Sequence, residues 1–210
     1  PTMKRVAAIH DLSGFGRASL CSIIPTLSAM GVQVCPVPTA ILSTHSGDFE
    51  NYTFQDLTDT IPAYMAHWKQ LGLEFDCIYS GFLGSPKQTQ IVADIFDDFA
   101  TEDTLVVVDP VMGDNGDLYS SIPETMIPQM RKLIGKADII VPNYTEAAML
   151  LGREMERQQT DEELKEWLRE LADLGPGTVM ITSAPDMEKP EMMNVIAYER
   201  ESGTYWKVAS

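Results

Sequence analysis

Cysteine, basic charge and long apolar runs are all scarce in this chain. Its three cysteines, Cys21, Cys35 and Cys77, are odd in number and isolated in apolar sequence. That pattern argues against a disulfide framework or a thiolate metal site and predicts buried free thiols. Lysine and arginine number 15 against 31 aspartates and glutamates, a formal net charge of -16. Such a surface repels nucleic acid phosphates and anionic lipid, so neither a nucleic acid nor a membrane is expected as a partner. No apolar run approaches the roughly 20 residues a bilayer span needs. The N-terminus also lacks the basic-then-apolar layout of a signal peptide, and a cytoplasmic location is expected.

What the 210 residues do contain, 44% of them hydrophobic, is enough to build one substantial core. Apolar, β-branched runs recur at 6–10, 32–42, 75–80, 104–109, 138–142 and 178–183, as strands buried on both faces of a parallel sheet would read. Helical patterns lie between them. Ser85-Pro86 supplies an N-cap and a first-turn proline before Ile91, Val92, Ile95, Phe96 and Phe99. Thr160 and Glu163 form a capping box before Leu164, Trp167, Leu168, Leu171 and Leu174, all expected in the core, and Gly175-Pro176 stops that helix. Strands alternating with helices predict a layered α/β domain with right-handed crossovers. Beyond position 190 the pattern changes to an antiparallel hairpin around Glu201-Ser202-Gly203.

The stretch HDLSGFGRAS at 10–19 reads as the turn from the first strand into the first helix, and its glycines make most of a dinucleotide fingerprint. The acid that should close the second strand and hold ribose hydroxyls is missing between Gly31 and Ser46. A nicotinamide-dependent oxidoreductase is therefore disfavoured. A Walker A loop is missing as well, since Gly135-Lys136 is followed by Ala137. In open α/β sheets ligands sit beyond the carboxyl ends of the strands, and here those ends are small and polar. They run His10-Asp11, STHSGD (43–48), SGFLGSP (80–86), DPVMGDNGD (109–117), PNYTEA (142–147) and TSAPD (182–186). Asp109-Pro110 and Asn143 are ordinary turn formers when taken singly. As a set, Asp109, Asp114 and Glu146 put three carboxylates on successive strand ends, where a cation would relieve their repulsion.

In order and spacing, HDLSGFGRASLCSIIPTLSAMGVQV, LSTHSG, YSGFLGS, VVVDPVMGD, ADIIVPNYTEAAMLLG and TVMITS resemble the ribokinase superfamily. Within it they resemble the vitamin B6 kinases, with the hydroxymethylpyrimidine kinases of thiamine synthesis as neighbours. The resemblance implies a single ribokinase-like domain over 1–210, a three-layer αβα sandwich with a mostly parallel central sheet and a C-terminal antiparallel hairpin. It implies ATP-dependent phosphorylation of the hydroxymethyl group of pyridoxal, pyridoxamine or pyridoxine, by a cytoplasmic homodimer. Asp11 and Ser46 would line the pyridine pocket, with Phe82 over the ring. His45 is open between a substrate contact and a structural role. Asn143, Thr182 and Ser183 would meet the nucleotide phosphates. Asp109, Asp114 and Glu146 would manage Mg2+, with K+ as a further candidate. Asp11 stands where B6 kinases typically carry serine and is more like the hydroxymethylpyrimidine kinases, which keeps that activity as the alternative. The family's glycine-rich GTGD-type segment, which carries the catalytic base, does not occur before Ser210. The base is accordingly expected beyond Ser210, no catalytic residue is assigned within the chain, and a non-catalytic pyridine-binding chain is the alternative of another class.

Overall fold

The structure is a computed structural model that describes residues 3–47, 49–155, 159–186, 188–189 and 191–209. Asp48, which closes the STHSGD run, and Ser210 lie outside the described residues. The chain divides into two compact units, one up to Val106 and one from Val107 onward.

The first unit opens with β1 (Arg5–Phe15), followed by α1 (Leu20–Ala29), β2 (Gln33–Thr44), β3 (Phe54–Asp56), α2 (Ile61–Gln70), β4 (Cys77–Ser80) and α3 (Pro86–Phe99). Here β1 is central, parallel to β2 on one side and to β4 on the other, and β3 runs antiparallel along the far side of β2. Ala7, Ala8, Ile9, Val37 and Ile78 are fully enclosed, as two-sided burial of parallel strands demands. On α3, Val92, Ile95, Phe96 and Phe99 are buried at helical spacing, and Ser85 caps the helix by accepting from the Gln88 amide at 3.3 Å. Trp68, Phe75 and Phe99 form a chain of rings with centroids 5.3 and 5.9 Å apart.

One expectation fails here for a clear reason. Residues 10–15 are not a turn: β1 continues to Phe15, because after a bulge between His10 and Leu12 its register with β2 resumes at Leu12↔Ile41, Ser13↔Leu42 and Phe15↔Thr44. Gly14 accordingly serves close approach, since a Cβ there would lie 3.0 Å from the Ser43 carbonyl oxygen. The turn comes later, at Gly16 with φ +110° and Ser19 with φ 50°.

β5 (Leu105–Val108) carries the chain into the second unit. There follow β6 (Gly113–Asp114), β7 (Asp117–Leu118), α4 (Met126–Ile134), β8 (Ile139–Ile140), α5 (Tyr144–Leu151), α6 (Asp161–Asp173), β9 (Thr178–Pro185), β10 (Met193–Glu199) and β11 (Thr204–Ala209). Strands β5, β8 and β9 pair in parallel, and β10 and β11 extend them antiparallel, as the hairpin reading predicts. The α6 capping box is complete in both directions, and Leu164, Trp167, Leu168 and Leu171 are buried. Leu174 is not core: it is the C-cap, one residue past the end of α6, and 39% exposed. The three cysteines are free, and each is only partly buried rather than enclosed.

Candidate functional site

The residues read as acceptor-binding all lie in the first unit. Asp11 is buried, and its carboxylate accepts from the Ser13 hydroxyl at 3.3 Å and the Ser19 hydroxyl at 2.5 Å. The second bond explains the strained backbone at Ser19, which heads α1 without capping it because its hydroxyl is turned to Asp11. His45 Nδ1 accepts from the Gly47 amide at 3.3 Å, and its ring stands edge-on to Phe49, centroids 5.1 Å apart. It also occupies the space a side chain at Gly16 would need, since a Cβ there would meet its Cδ2 at 2.2 Å. Ser46 is exposed beside it. Phe82 is half-buried, and its carbonyl accepts from the Thr39 hydroxyl at 3.2 Å.

His10, next to Asp11, is only 3% exposed. Burial drives its pKa down to about 3, so its imidazole is neutral at physiological pH. The ring stands edge-on to Tyr79 at 4.3 Å and fills the place of a side chain at Gly81, where a Cβ would come within 2.2 Å of Nδ1. Only glycine fits there, directly before Phe82.

The second unit gathers the residues read as phosphate- and cation-binding. Asn143 caps α5 through a full capping box: its Oδ1 accepts from the Glu146 amide at 2.8 Å, and Glu146 Oε2 accepts from the Asn143 amide at 2.8 Å. Asn143 Nδ2 also donates to the Gly113 carbonyl at 2.8 Å, and Glu146 Oε1 accepts from the Met112 amide at 3.0 Å. These two side chains therefore tie the head of α5 to the start of β6. Thr182 continues the junction, with its amide on the Pro142 carbonyl at 2.9 Å and a bridge to Asn143. Ser183 is exposed and left-handed, φ 56°.

Burial raises Glu146 to about 8, helped by the neighbouring charge of Asp109 and opposed by the backbone amides it accepts from. Asp109, packed in at the end of β5, is raised by burial to about 7. Asp114 is exposed and accepts from the Asn115 amide at 2.8 Å. All three acids act on Tyr119, whose hydroxyl is pushed up first by burial and then by the charges of Glu146, Asp114 and Asp109. They are thus neighbours, but among the described residues no group of three or more His, Cys, Asp or Glu side chains is arranged as a metal cage.

Two features escape the sequence reading. DPVMGDNGD contains the β6–β7 hairpin, with Asn115 and Gly116 both at positive φ, the signature of a type I′ turn that the Asn-Gly pair announces. Gln88, three residues past the Ser85 cap, is 1% exposed and reaches back to the Phe82 loop.

The fold is that of the ribokinase-like α/β kinases, with a mostly parallel sheet finished by antiparallel strands. The chain belongs to the phosphomethylpyrimidine kinase family, whose profile matches residues 21–208. A solved Bacteroides thetaiotaomicron protein named for the phosphomethylpyrimidine kinases, crystallised with pyridoxal, is 52% identical, with a TM-score of 0.96 over 99% of this chain and 72% of its own. Pyridoxal kinase from Lactobacillus plantarum is 31% identical, with a TM-score of 0.88 over 100% of this chain and 73% of its own. Among curated relatives, a pyridoxal kinase of Paraburkholderia xenovorans is 30% identical over 95% of this chain and 70% of its own length. Against the sheep pyridoxal kinase the match covers 75% of this chain but only 52% of the relative.

Proposed function

We propose that the protein phosphorylates the hydroxymethyl group of pyridoxal, pyridoxamine or pyridoxine with ATP. The observation that carries this reading is the likeness, along nearly the whole chain, to the Bacteroides protein crystallised with pyridoxal. The residues suit it. Asp11 is buried and held by two hydroxyls, and half-buried Phe82 offers the aromatic face that a flat heteroaromatic alcohol requires. Asn143, with its side chain committed at both ends, presents the head of α5 rather than its own amide, and a helix N-terminus suits phosphate oxygens. Thr182 and exposed Ser183 lie on the strand end bridged to it. Asp109, Asp114 and Glu146 form no cage, which fits Mg2+ taken through one carboxylate, water and the nucleotide's own phosphates. Asp109 is the acid best suited to hold it, since both oxygens of Glu146 already accept backbone amides. Bound there, the cation would neutralise the transferring phosphoryl group. K+ beside it, a homodimer and a cytoplasmic location belong to the same reading.

A second reading, hydroxymethylpyrimidine phosphorylation, is favoured by the family match and by Asp11. ADP release by the protein carrying the expected base, in the presence of MgCl2 and with pyridoxal or hydroxymethylpyrimidine as acceptor, separates the two. Pyridoxal-dependent release that stops on chelation supports the first, and turnover of the pyrimidine alone replaces it. Calorimetric binding of pyridoxal without any ADP release would make the chain a non-catalytic pyridine binder. Sedimentation velocity tests the dimer.

A further inference from the structure

The buried amide of Gln88, on α3, satisfies three partners at once. Its Nε2 donates to the Thr39 carbonyl at 3.0 Å and the Thr58 hydroxyl at 2.8 Å, and its Oε1 accepts from the Gly84 amide at 2.9 Å. Thr39, itself fully buried, donates its hydroxyl to the Phe82 carbonyl at 3.2 Å. The loop between β4 and α3 is thus pinned at two successive points, the carbonyl of Phe82 and the amide of Gly84. Both pins lead to one residue on α3 and one on β2.

A buried amide is costly unless every group is paired, and here the pairing is spent on a loop, where a leucine would have filled the same space. We infer that Gln88, acting with Thr39, is a positioning residue that fixes Phe82 against the acceptor ring and so sets affinity for the vitamer without touching it. This rests on the reading of Phe82 as the ring-covering residue. The geometry explains why the pins are polar. Apolar packing would hold α3 against β2 equally well, but only directed hydrogen bonds fix the backbone of a short loop to within the few tenths of an ångström that ring stacking needs.

Gln88→Met keeps the length and removes all three bonds, whereas Thr39→Val removes only the bond to Phe82. Calorimetric titration should show pyridoxal bound about ten-fold more weakly by each variant and ADP bound as by the parent. Gln90→Met on the exposed face of α3 should change nothing. Hydrogen exchange at the Gly84 amide gives a readout that needs no ligand. It should quicken in Gln88→Met while the interior amides of α3 stay protected. Pyridoxal and ADP weakening together in proportion to lost stability, or unchanged exchange at Gly84, would overturn the inference. A parent chain that binds no pyridoxal would remove the vitamer reading, and the exchange result would still decide whether Gln88 clamps the loop.

Discussion

His10 carries the sharpest consequence at the scale of single residues. Its folded pKa, about 3, lies below the ordinary value of 6.5, so the unfolded chain takes up a proton that the folded chain refuses. The stability this neutral imidazole contributes is full above pH 6.5 and is lost as pH falls toward 3. Between pH 7 and pH 5 its share of the loss is about 2 kcal/mol, and urea unfolding of the parent against His10→Leu should show the variant losing that much less. Gly113 makes a second residue-scale case. A Cβ there would sit 2.1 Å from the Asp117 carbonyl oxygen, inside the β6–β7 hairpin. Gly113→Ala should therefore lower the unfolding free energy by about 2 kcal/mol in a chemical melt.

At the scale of elements, two helices share one N-terminal device with unequal burial. Thr160 and Glu163 close the box of α6 at an exposed end, and Thr160→Ala should cost about 1 kcal/mol. Glu146 closes the box of α5 while 3% exposed and accepts from the Met112 amide as well. Glu146→Ala strands one buried and one part-buried donor and should cost about 2–4 kcal/mol, measured in the same melts. The α6 box was legible because an amphipathic run follows it. Asn143-x-x-Glu146 has the same spacing, but in the sequence its acid groups with Asp109 and Asp114 as a cation ligand. Sequence spacing alone does not say which oxygen an acid gives to a backbone amide. The strands were legible as β-branched runs, except where pairing overrode local signals: β1 runs on through His10–Phe15 because β2 continues beside it. Phe82 and Asp11 read as acceptor-side residues only through the family resemblance, and the burial of Gln88 was not legible at all, because glutamine near a helix start ordinarily faces water.

For the whole molecule the dominant quantity is charge. Thirty-one acids against 15 bases leave the chain repelling itself, and salt that screens this repulsion should stabilise it. Raising NaCl from about 20 to about 300 mM should lift the melting temperature by a few degrees, the reverse of the response of a fold held by surface ion pairs. Among the described residues no helix is long and apolar enough to cross a membrane, and vesicles of anionic lipid should not retain the chain at low salt.

The contact between His10 and Gly81 also constrains how this protein can change over time. With the imidazole lying 2.2 Å from where a Cβ would stand, a side chain at position 81 is tolerable only after position 10 has become smaller. Mutational routes through this corner of the first unit are therefore ordered: position 10 must yield first, and until it does, the residue before Phe82 is not free to vary.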